Sequence, residues 1–117
     1  MKKFLLIFMC IIFLSACSSD NGLISYVDAK EKIINESAIL IDVRSPEEYN
    51  EEHIEGAALL PVDTIDEESI SAITEDKEAP IIVYCRSGNR SSQALDLLKK
   101  LGYKEVYNLG AMSNWQE

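Results

Sequence analysis

Ile81-Ile82-Val83-Tyr84 runs directly into Cys85-Arg86-Ser87-Gly88-Asn89-Arg90-Ser91, and an amphipathic run from Ser92 to Leu101 follows. Four consecutive β-branched or aromatic residues after Pro80 read as a buried strand. Ala94, Leu95, Leu97, Leu98 and Leu101 have helical spacing, and Gly102 stops the helix. The loop between therefore joins a strand end to a helix start. A helix start presents unpaired N–H groups and a partial positive charge, so an anion belongs there. Cys85 is the residue held at that point, with Arg86 and Arg90 on either side of the loop. Its thiol should ionise more readily than a free one, whose pKa is ~8.5, and the thiolate is the reactive form. Gly88 permits a tight backbone whose amides turn inward as an anion nest. The plainer alternative is a buried core cysteine acting as a small hydrophobe. It fits poorly with the polar Arg-Ser-Gly-Asn-Arg-Ser that follows at once.

The rest of the chain repeats the alternation of strand and helix. Ala38-Ile39-Leu40-Ile41 reads as a second buried strand running into Asp42-Val43-Arg44. Ser45-Pro46-Glu47-Glu48 is a helix start, with Ser45 as N-cap, Pro46 at the first helical position and Glu48 placed to close a capping box. Ala58-Leu59-Leu60 is a third apolar piece, ended by Pro61. Asp66 to Ile73 suits a short helix, and Glu105 to Leu109 a last strand, after which Gly110 leads into a turn ending at Trp115. Nearer the start, Leu23 to Val27 reads as a short edge strand, and Asp28 as the cap of a helix over Ala29 to Asn35. This order predicts an α/β fold with a mostly parallel central sheet. Ligands in such sheets sit at the carboxyl ends of the strands, where Cys85 falls.

With 117 residues the chain has room for one small domain. Lys2-Lys3, the apolar run Phe4 to Leu14 and then Ser15-Ala16 have the zones of a secretory signal peptide, residues 1–16. The run is too short to span a bilayer. Leu14-Ser15-Ala16-Cys17 resembles a bacterial lipobox, which implies lipidation of Cys17 and a chain anchored to the outer face of a cell membrane. The alternative is ordinary secretion with Cys17 left as a free thiol. Residues 17–22 read as a polar tether and 23–117 as the folded domain. On this reading Cys85 is the only thiol left in the domain, so no internal disulfide is expected. The formal charge is −9, and without Lys2 and Lys3 nine basic side chains face 20 acidic ones, a net of −11. Such a domain will not hold nucleic acid through phosphate contacts.

Two segments together resemble the single-domain rhodaneses, a sulfurtransferase family. They are Ile41-Asp42-Val43-Arg44-Ser45-Pro46-Glu47-Glu48-Tyr49 through His53-Ile54-Glu55-Gly56-Ala57, and the loop Cys85 to Ser91. The resemblance implies a three-layer sandwich with helices on both faces of the sheet. It implies that Cys85 takes a sulfane sulfur as a persulfide and passes it to a thiol or cyanide acceptor. The amides of Arg86, Ser87, Gly88, Asn89, Arg90 and Ser91 would hold the persulfide and the donor oxyanion. Arg86 and Arg90 would favour an anionic donor such as thiosulfate. Asp42 and Arg44 would tie the strand end to neighbouring loops, and His53 would be structural. No metal or organic cofactor is implied. The expected partners are a small-molecule sulfur donor and acceptor, with a sulfur-accepting protein as a further option, and the expected state is a monomer. The family often carries a second glycine after Gly110, where this chain has Ala111.

Cysteine-dependent phosphatases also combine a cysteine, a backbone cradle and an arginine before a helix. Their loop resembles one with five residues between cysteine and arginine, whereas four separate Cys85 from Arg90. The shorter loop leaves less room for a tetrahedral phosphate and favours sulfur. A non-enzymatic module that senses sulfur or redox state through oxidation of Cys85 is the remaining alternative.

Overall fold

The computed structural model describes residues 22–116. The expected signal segment 1–16, the lipidated Cys17 and the tether up to residue 21 lie outside the described residues.

Four strands form one sheet: β1 (Ile39–Asp42), β2 (Ala58–Leu59), β3 (Ile81–Cys85) and β4 (Val106–Ala111). Their spatial order is β2-β1-β3-β4 and every pairing is parallel. A parallel sheet is covered on both faces, so its strands are continuous apolar runs rather than alternating ones. All five residues of β3 are buried. Helix α1 (Tyr26–Glu36) precedes β1; α2 (Pro46–Glu51), α3 (Glu67–Ser71) and α4 (Asn89–Lys100) connect the strands, with a 3-10 turn at Val62–Thr64 before α3 and another at Met112–Asn114 after β4.

Successive strand side chains point to opposite faces, and each face has its own core. Ile41, Ile81, Val83 and Cys85 pack with Ile70 of α3 and with Ala94, Leu95 and Leu98 of α4. Leu40, Ile82, Tyr84 and Leu109 pack with Ala29 of α1 and with Ile54. The expected three-layer architecture is therefore present, with Cys85 on the α4 face. Among the described residues no helix is long and apolar enough to cross a membrane.

Several element boundaries differ from expectation. Leu23 to Val27 is not a strand: Leu23 forms one parallel bridge to Asn108, and Tyr26 and Val27 already belong to α1. The cap of α1 is Ser25, whose hydroxyl accepts from the Asp28 amide at 3.1 Å, and Asp28 sits in the first turn. The pairing with β4 is confined to that single bridge around Leu23, and the Tyr26 ring is held edge-on against Trp115, 4.9 Å between centroids. Helix α4 begins at Asn89 rather than Ser92, so the last three residues of the predicted loop belong to its first turn. Strand β4 continues through Gly110 to Ala111, beyond the expected end at Leu109. The register slips there: Val83 pairs with Asn108, but Tyr84 pairs with Gly110 and Cys85 with Ala111. Leu109 is thus the extra residue of a bulge, a device that re-aims a strand end. The Asn108 side-chain oxygen accepts from the Gly110 amide at 2.8 Å and holds that bulge closed.

Candidate active site

Cys85 is the last residue of β3 and is fully buried. The chain turns at Gly88, which has a φ of 103° and serves as the N-cap of α4. A side chain at that φ would be strained, so glycine is suited to the place. Being glycine, it also offers no oxygen to cap the helix, and the first helical amides need another acceptor. The Cys85 sulfur is that acceptor: the Ser91 amide donates to Sγ at 3.3 Å and the Gly88 amide at 2.9 Å. The Ser91 hydroxyl lies 3.5 Å from Sγ and also donates to the Gly88 carbonyl at 3.1 Å. That carbonyl already receives the Ser92 amide at 3.1 Å. The hydroxyl can therefore turn to a thiolate without leaving the carbonyl unpaired.

Burial by itself pushes the Cys85 thiol up. The Ser91 hydroxyl, and then the amides of Ser91, Gly88 and Ser87, outweigh it and hold the thiol below its ordinary value. The N-terminal charge of α4 acts in the same direction. Of the residues expected to form the cradle, Ser87, Gly88 and Ser91 direct their amides at the Cys85 sulfur. Asn89 is exposed at the first position of α4.

The two loop arginines both pair with one carboxylate, that of Glu48. Arg90 donates through Nη1 and Nη2 to the two carboxylate oxygens of Glu48 at 2.8 and 3.2 Å, and Arg86 Nε reaches Oε2 at 3.3 Å. The Ser45 amide and hydroxyl donate to Oε1 at 2.9 and 3.1 Å, while the Ser45 hydroxyl accepts from the Glu48 amide. The capping box of α2 is as read from the sequence, but its glutamate also serves as counter-ion to the loop. Arg90 first, then the Ser45 amide, hold the Glu48 carboxyl well below the usual carboxylate range. The Arg90 pair is two-pronged, with side chains 34% and 18% exposed, whereas Arg86 is 68% exposed and its pairing is correspondingly weaker. Sequence reasoning gave Glu48 no role at the site. The available signal was a capping-box glutamate in the same chain as two arginines beside a cysteine.

Asp42 and Arg44 form a buried pair beneath the neighbouring strand end. Arg44 Nη2 donates to Asp42 Oδ2 at 2.7 Å and to the Glu52 carbonyl at 2.6 Å. The Tyr84 hydroxyl donates to Asp42 Oδ2 at 2.8 Å and accepts from the Ile54 amide at 3.0 Å. These bonds tie β1, β3 and the segment after α2 together. His53 is exposed, stacked on the Tyr49 ring at 3.7 Å, with Nδ1 2.8 Å from the Tyr49 carbonyl. Both of these contacts are with Tyr49 rather than with the cradle. A cleft of about 400 Å³ opens beside the loop, walled by Arg44, Glu48, Glu51, Glu52, Arg86, Met112 and Ser113.

The family model described as Rhodanese-like domain matches residues 25–117. The thiosulfate sulfurtransferase PspE of Escherichia coli is 39% identical over 74 residues, which cover 63% of this chain and 70% of that protein. The thiosulfate sulfurtransferase GlpE of Coxiella burnetii is 37% identical over 94 residues, 80% of this chain and 85% of that protein. Among solved structures, a rhodanese with anions from E. coli superposes with a TM-score of 0.62 at 38% identity, over 66% of this chain and 89% of that one. A human single-domain sulfurtransferase, TSTD1, gives a TM-score of 0.69 at 27% identity, over 80% and 94%.

Proposed function

The chain belongs to the rhodanese-like domain family and is a sulfurtransferase, and we propose that it works through a persulfide on Cys85. The observation that carries this reading is the set of donors converging on one buried sulfur at the junction of β3 and α4. Those donors favour an anion on Cys85 and will favour one again on its persulfide.

With thiosulfate, the Cys85 thiolate attacks the outer sulfur. A sulfur–sulfur bond forms to Cys85, the bond to the sulfonate group breaks, and its electron pair leaves with sulfite. In the second half-reaction cyanide or a thiolate attacks the outer sulfur of the persulfide. Thiocyanate or a new persulfide departs, and the Cys85 thiolate returns. Covalent catalysis in two halves implies ping-pong kinetics. Cys85 is fully buried, so the loop around it must open to admit the donor. The phosphatase alternative is not favoured: four residues, not five, precede Arg90, and Arg90 is turned onto Glu48.

Lys2-Lys3, the apolar run 4–14 and Leu14-Ser15-Ala16-Cys17 support an extracytoplasmic protein held to a bacterial membrane by lipid on Cys17. We propose that the domain acts there as a monomer and passes sulfur to a small molecule or to a protein thiol.

Intact mass after thiosulfate, and again after cyanide, tests the mechanism. The expected result is gain of one sulfur atom by the native protein, its loss with release of thiocyanate, and no gain by Cys85→Ser. Full turnover by Cys85→Ser would overturn it.

A further inference from the structure

We propose that Glu48 sets the donor preference of the site: its carboxylate competes, from within the chain, with the donor's oxyanion for the guanidinium groups of Arg86 and Arg90. The inference rests on the Cys85 persulfide reading and concerns which sulfane-sulfur donors that cysteine accepts.

Both carboxylate oxygens of Glu48 are engaged, with Arg90 on each and Arg86 on Oε2. The carboxylate cannot easily swing away, because Ser45 fixes it through an amide and a hydroxyl at the start of α2. A doubly charged donor arriving at the loop meets two guanidiniums whose combined charge is already halved by Glu48. It must either displace Glu48, which leaves that carboxylate with Ser45 alone, or settle beside it against like-charge repulsion.

The adjoining cleft reinforces the same bias. Arg44 on its wall is occupied by Asp42 and the Glu52 carbonyl. Glu51 and Glu52 face the cleft, are exposed, and form none of the ion pairs among the described residues. The approach to Arg86 is thus net anionic. A donor that carries its sulfane sulfur with one negative charge or none has less to overcome than thiosulfate, which carries two. The chemical class favoured is therefore a thiosulfonate or a hydropersulfide, with thiosulfate used but held back.

Two probes isolate charge from chemistry. Methanethiosulfonate differs from thiosulfate by a methyl group in place of one charged oxygen; attack by Cys85 gives the same persulfide and releases methanesulfinate instead of sulfite. Steady-state kinetics with cyanide as acceptor would be measured for native protein and Glu48→Gln. The expected result is a rise of about fivefold or more in kcat/KM for thiosulfate, mainly through KM, with a smaller rise for methanethiosulfonate. The ratio between the donors should also fall back towards the native value as salt is raised. A ratio that stays constant or moves towards methanethiosulfonate overturns the inference. If Glu48→Gln does not fold, the Glu51→Gln/Glu52→Gln pair takes its place: a smaller shift of the ratio towards thiosulfate supports the anionic approach, and a constant ratio overturns it. If neither donor places sulfur on native Cys85, the persulfide reading itself fails.

Discussion

At the scale of single residues, the chemistry of Cys85 depends on Ser91, which offers both an amide and a hydroxyl to the sulfur. A thiol held low is ionised across more of the neutral range, and its reactivity falls only as the pH drops through the lowered value. Ser91→Ala removes the leading contribution that lowers the thiol. Its acid limb should therefore move to higher pH, read as the rate of alkylation by a small reagent such as iodoacetamide. A limb that did not move would mean the amides alone set the ionisation. Arg44 makes a different kind of contribution. Asp42 is fully buried, and removing its cation strands a carboxylate without water, so Arg44→Ala should cost about 3–5 kcal/mol in urea unfolding. The Cys85 loop was legible in the sequence because its parts are contiguous. Glu48 was not, because it lies 42 residues from Arg90 and already had a local explanation as a capping residue.

At the scale of elements, α2 has no buried residue and is only six residues long, so its end interactions decide whether it forms. Ser45→Ala should lower stability by ~0.5–2 kcal/mol through the lost cap. It should also loosen Glu48, and a kinetic change at the loop from a residue that touches neither arginine would reveal that link. Tyr84→Phe tests the brace between strands: it leaves the Ile54 amide and one Asp42 bond unmatched in the interior, at about 1–3 kcal/mol. The strands and the α2 capping box were readable because they follow from adjacent residues. The starts of α1 and α4 were not. Ile24-Ser25-Tyr26-Val27 has strand propensity, yet only Leu23 finds a strand partner. Asn89 follows a glycine cap whose acceptor, the Cys85 sulfur, is supplied by tertiary structure.

At the scale of the whole molecule, 20 acidic side chains outnumber 11 basic ones, and their mutual repulsion opposes the compact state. Moderate sodium chloride should raise the melting temperature by a few degrees, since exposed charges are screened beyond ~8 Å at physiological ionic strength. A fall would show that ion pairs such as Arg90–Glu48 outweigh the repulsion. The α/β class was legible from the alternation of apolar runs, but the strand order and the Leu109 bulge were not, because both are choices among pairings of similar local sequence. The contacts of Asn108 have a last consequence, for assembly rather than chemistry. Its amide donates to Gly22 at 2.8 Å, its carbonyl accepts from Ile24 at 3.0 Å, and its side chain takes the Gly110 amide. An incoming strand would find those positions on β4 occupied, and the opposite margin, β2, is two residues long. Neither margin is a good template for growth, so the sheet resists polymerisation by strand addition even where net charge is screened.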